Sequence, residues 1–136
     1  FAVRVGPVVP HRHAENGPLV PYIHARSLPP WSECTDIAES RRFTGRLFAP
    51  PFVAVRRTSR PDNGSRAVAA LVLGTTPVAV ENHLIAFLPK DETVETCRGL
   101  MQRLRSPKTD TWLNARLRCR HLTTRAMAEM PWWYKP

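Results

Sequence analysis

The sequence predicts an α+β fold: a mixed, mostly antiparallel sheet comes first, and two or three C-terminal helices follow it. Three observations predict this order. Short β-branched and apolar runs punctuated by Gly, Pro and Asn fill the chain as far as Leu88. From Val94 onward apolar residues recur every three or four positions instead. With 136 residues and 43% hydrophobic content, the chain is long enough for one modest core, so a single domain spanning residues 1 to 136 is expected.

Residues 2 to 10 alternate well enough for a strand, which Gly6-Pro7 must interrupt because proline donates no ladder hydrogen bond. A turn through Asn16-Gly17 leads to a second strand at residues 19 to 24, closed by Pro29-Pro30. Residues 32 to 42 are read as a short helix capped by Ser32 with Ile37 facing inward. Residues 52 to 57 and 67 to 73 form a hairpin around the turn-rich stretch Thr58-Ser59-Arg60-Pro61-Asp62-Asn63-Gly64. Residues 78 to 88 give one or two strands broken at Glu81-Asn82, with Asn82 read as a turn residue and His83 as a satisfied, half-buried histidine. Asp91 caps a helix from Glu92 to Arg105 that buries Val94, Cys97, Met101 and Leu104. Ser106-Pro107 starts a second helix, with Trp112, Leu113 and Leu117 as its stripe, and Thr124 caps a last helix ending before Pro131.

Twenty Lys and Arg against eleven Asp and Glu leave a net charge of +9, and the surplus is nearly all arginine. Arginine's planar fork pairs with phosphate or with the acceptor edge of guanine, so the excess favours a nucleic-acid partner over mere solubility. A generally basic protein is the competing explanation. No apolar run approaches a membrane span and no signal peptide is evident, so a cytoplasmic protein with no membrane partner is expected. Three cysteines at irregular spacing argue against a disulfide framework.

Two basic groups stand out as candidate DNA contacts. Arg56, Arg57 and Thr58 end one strand, and Arg60 and Arg66 flank its turn, so the hairpin tip is placed against a groove or its phosphates. Arg116, Arg118, Arg120 and His121 alternate with Leu117, Cys119 and Leu122, which in a strand gives one charged and one buried face. A solvated tip and a charged protective edge are the structural alternatives. Arg12 and Lys108 complete the candidate set, and Arg103 and Arg105 extend the second group. No catalytic motif is present: Pro29-Pro30-Trp31 and Pro50-Pro51-Phe52 lack the Asn and Tyr of an adenine-methylating motif, and the Glu81, His83, Asp91 and Glu92 group matches no nuclease spacing. Neither a bound cofactor nor a metal is assigned to this chain.

Three motifs in order carry a family resemblance. They are Gly6-Pro7-Val8-Val9-Pro10-His11-Arg12, the strand Pro51-Phe52-Val53-Ala54-Val55-Arg56-Arg57-Thr58 with the Ala-rich strand that follows it, and Val80-Glu81-Asn82-His83-Leu84. From about Gly6 to Pro131 the chain resembles the C-terminal target-recognition region of bacterial restriction-modification N6-adenine DNA methyltransferases. The resemblance implies a module that binds duplex DNA and presents the target to an upstream or associated catalytic domain using S-adenosylmethionine. The start at Phe1 within a strand pattern fits a C-terminal piece of such a methyltransferase. A protein-docking domain of a DNA-modification or phage-defence complex, without autonomous DNA binding, is the alternative.

Overall fold

A computed structural model describes residues 1–12, 15–58, 66–117 and 121–131. Eight strands precede three helices: β1 (Ala2–Val5), β2 (Leu19–Ile23), β3 (Glu33–Cys34), β4 (Ser40–Arg42), β5 (Phe52–Arg56), β6 (Ala69–Val72), β7 (Ala79–Val80), β8 (Leu84–Leu88), α1 (Val94–Arg105), α2 (Pro107–Arg116) and α3 (Thr124–Ala128). This is the α+β order expected. The strands, however, form two sheets: five strands in the order β1-β8-β5-β6-β3, and three in the order β4-β2-β7. Pairing is antiparallel except for β2 with β7 and β3 with β6.

The larger sheet is covered on both faces. Val53, Val55, Leu71, Ile85 and Phe87 pack with Cys97, Leu100 and Leu104 of α1, Leu113 of α2 and Met127 of α3. The alternate residues Phe52, Ala54, Ala70, Val72, Leu84 and Ala86 pack with Ile23, Phe48 and Val80 of the layer holding the small sheet. The period-two alternation of a strand therefore feeds two cores, which is why β5, β6 and β8 read as continuous apolar runs.

Local chemistry sets the breaks. After β1, Gly6 passes so close to Glu81 that an added Cβ would lie 2.0 Å from its carbonyl oxygen, so only glycine fits. Val8 then makes an isolated parallel bridge to Glu81. The break expected at Glu81-Asn82 separates β7 from β8 and transfers the chain from one sheet to the other. Residues 32 to 42 are not helical. Their backbone pairs with β6 through β3 and with β2 through β4, and the Ser32 hydroxyl donates to Pro29 O at 2.6 Å instead of capping a helix. A segment with thin helical periodicity has little packing to stabilise a helix, and the strand edges beside it supply backbone partners instead.

Two caps lie beside the residues expected. Thr93 caps α1, accepting from Thr96 N, while Asp91 braces it by accepting from the Thr93 amide and the Thr96 hydroxyl. Thr123, not Thr124, caps α3. Ser106 ends α1 by donating its amide to Arg103 O and starts α2 by accepting from Lys108 N, with Pro107 as the first helical residue. Among the described residues no helix is long and apolar enough to cross a membrane.

Candidate nucleic-acid interface

At the end of β5 the first basic group meets His121 of the second. Beyond Arg56 the chain leaves β6 and takes a new neighbour: Leu122 N donates to Arg57 O at 2.6 Å, and Thr58 bridges His121. On its other side Arg57 N donates to His83 O at 2.9 Å. Extending the β5/β8 register by one residue places Arg57 opposite His83 on one face of the sheet. The turn holding His83 is tied in turn to the first motif, since Asn82 N donates to Val8 O at 2.8 Å and Arg12 N closes a turn on Val9 O. Arg12, Arg57, Thr58, His83 and His121 thus belong to one hydrogen-bonded region built from four parts of the sequence.

The candidates play unequal parts there. Arg12 and Thr58 are exposed. The Arg57 guanidinium is partly buried; Nη1 donates to Asn82 O at 3.4 Å, while its Nε is buried with no hydrogen-bond partner among the described residues. Asn82 lies in the turn, as expected of a turn residue, and its buried Oδ1 also lacks such a partner. Arg56 turns to the opposite face, where Nη2 donates to Leu28 O at 3.3 Å. His83 is satisfied but exposed, a correction to its expected half-burial: its side chain is 57% accessible, and Glu81 Oε1 engages Nδ1 at 2.8 Å. That contact orients the ring and leaves Nε2 for an outside partner.

Arg66 corrects the exposed hairpin tip. It is fully buried, with Nη1 donating to Asn114 Oδ1 at 2.8 Å and to Leu117 O at 2.9 Å, and its own amide donating to Asp110 Oδ1 at 2.8 Å. It ties the end of α2 to the start of the β6 segment, so it holds the fold and does not face a ligand. Burial pushes the Asp110 carboxyl above the usual range, opposed by the Arg66 amide and charge. Arg116 is corrected too. It lies on the last turn of α2, not in a strand, with its guanidinium over the Trp112 ring and paired with Glu129. Lys108 is exposed on the first turn of α2, with no described contact to the end of β5. Arg60, Arg118 and Arg120 lie outside the described residues.

Sequence reasoning missed a second arginine-bearing surface. Arg41 and Arg42 of β4 reach across to the first turns, Arg41 Nη2 to Pro10 O at 3.4 Å and Arg42 Nη1 to Gly17 O at 3.1 Å, and Arg41 also lies over the Tyr22 ring. The adjacent pair Arg41-Arg42 was the available signal, hidden by reading the segment as helix. Among the described residues no three His, Cys, Asp or Glu side chains gather where they could hold a metal ion. Comparison with family models, with curated proteins and with solved structures finds no match to this chain.

Proposed function

We propose that this chain is a DNA sequence-recognition domain of a restriction-modification N6-adenine methyltransferase, working in the cytoplasm. It binds duplex DNA and presents the target to an upstream or associated catalytic domain, which holds S-adenosylmethionine. The observation that carries the reading is the meeting of the first basic turn, the end of β5 and the segment at His121 in one region, on a chain of net charge +9. The three sequence motifs of the resemblance supply Arg12, Arg57 and the Glu81-Asn82-His83 turn to that same region. The exposed Arg12 and the half-buried Arg57 guanidinium serve phosphates there.

The test is duplex binding across a salt series, with an Arg12→Ala/Arg57→Gln double variant whose fold is checked by circular dichroism. Each lost phosphate contact lowers the salt slope by about 0.9, so the double variant is expected to lose about two from its slope. A folded wild-type chain that binds no duplex at low salt overturns the reading and puts the protein-docking role in its place. An unchanged slope in the variant moves the DNA face away from this region.

A further inference from the structure

The backbone at Trp31 has φ 59°, in the left-handed region that a bulky aromatic residue rarely enters. Two hydrogen bonds to β6 hold it there: Trp31 N donates to Ala69 O at 2.6 Å and Leu71 N donates to Ser32 O at 2.9 Å. Strain of this kind persists where the surroundings over-determine it, and it marks sites where a side chain must be presented in one place.

The place is a cleft of about 260 Å³ lined by Trp31, Glu33, Arg98, Met101, Gln102 and Arg105. It lies between β3 and α1, at the far edge of the larger sheet and across β6 from the strand that leads to Arg57. Its size falls just under the roughly 300 Å³ at which pockets for drug-sized ligands begin, which suits a small planar ligand. Its chemistry narrows the choice. The Trp31 indole offers an aromatic floor, and Met101 adds a polarizable thioether beside it. Arg105 already lies over the indole, its guanidinium carbon 5.5 Å from the ring centroid. Arg98 grips Glu33 with Nε at 3.0 Å and Nη2 at 2.9 Å, a fork that fixes the guanidinium and leaves three of its five N–H donors uncommitted to that carboxylate. Two guanidinium groups against one carboxylate leave the cleft cationic.

We propose that this cleft binds a nucleotide, with the base taking the place of the Arg105 guanidinium on the Trp31 ring and the phosphate held by the displaced Arg105 and the remaining donors of Arg98. An aromatic floor selects a planar π-system, and the surplus cation selects an attached anion; a nucleotide carries both in one ligand. The nucleotide comes either free or as an unpaired member of a strand. The proposal stands apart from duplex recognition, because its residues lie at the β3 edge of the sheet, across β6 from β5.

The test is calorimetric titration of the whole chain with dAMP, with inorganic phosphate as the probe that lacks a base. Millimolar or tighter binding of dAMP is expected, with phosphate clearly weaker. Trp31→Asn keeps a residue that tolerates left-handed φ, and Arg105→Gln changes an exposed side chain, so both variants should fold. Each is expected to weaken dAMP about 10-fold, the scale of one lost base stack. Equal binding of dAMP by wild type and both variants overturns the proposal, as does phosphate binding as tightly as dAMP, or no binding at millimolar dAMP. A single-stranded oligo(dA) that binds more tightly than dAMP, and remains sensitive to Trp31→Asn, identifies a strand as the source. Equal affinity identifies the free nucleotide. Failure of duplex binding in the salt series leaves every arm of this test readable.

Discussion

Arg66 shows how far one residue's environment can reverse its apparent role. In the sequence it is one more cation beside a turn; in the fold it is fully buried and satisfied by Asn114, Leu117 and, through its backbone, Asp110. Arg66→Ala strands Asn114 Oδ1 and Leu117 O and opens a void, so a loss of about 3 kcal/mol is expected in urea unfolding. Arg66→Lys recovers little of it, because a single ammonium cannot reproduce the planar fork. A stability change within a few tenths of a kcal/mol would refute this structural role. Cys97 is a second case. Burial, with a smaller contribution from the Asp91 charge, pushes its thiol up to about 11. At pH 8 it stays protonated and shielded, so thiol reagents should modify half-buried Cys34 before Cys97, which they reach only after denaturant is added. Peptide mapping by mass spectrometry after brief labelling checks that order.

At the scale of elements, the helices were legible because their signals are local. Ser106-Pro107 names a helix start by itself, since a hydroxyl acceptor and a proline preset for the first turn need no tertiary partner. The start of α1 shows the limit of such reading. Both Asp91 and Thr93 are competent caps, and the choice fell to Thr93 with Asp91 as its brace. Thr93→Ala is expected to cost about 1 kcal/mol. Hydrogen bonds from Thr96 and Thr93 hold the Asp91 carboxyl below its ordinary value. A carboxyl lowered in the folded state contributes stability above its unfolded pKa and loses it as pH falls through the folded one, so the effect fades below about pH 4. Asp91→Asn should flatten that part of the stability profile, and urea midpoints between acid and neutral pH measure it. Strands β3 and β4 were illegible for the opposite reason. Each is only two or three residues long and exists because a sheet edge stands beside it.

For the molecule as a whole, the decisive feature is a central sheet shared by two cores. Phe52 and Val53 are neighbours in β5 yet belong to opposite layers, so neither core can dissolve without exposing the strand that builds the other. Unfolding is therefore expected to be one cooperative transition. Leu100→Ala on the helix side should lower stability by about 3 kcal/mol and Val80→Ala on the other side by less, both without splitting the curve. Two separated transitions, seen by near- and far-UV circular dichroism, would refute the coupling. The candidate interface belongs to this scale as well. Its parts lie at Arg12, Arg57, His83 and His121, and long-range pairing alone brings them together.

Local pattern was enough for the α+β order, the central strands, the break at Glu81-Asn82, the Ser106-Pro107 start of α2 and the basic surplus. These follow from residue periodicity, turn chemistry and composition, which act over a few neighbouring residues. Long-range packing set the rest: the strands divide into two sheets, Arg66 is buried and Arg116 paired, and Trp31 is held in a left-handed turn beside Arg105. Those outcomes depend on which distant segment supplies a hydrogen-bond partner or excludes water, and no local pattern encodes the identity of a neighbour many residues away.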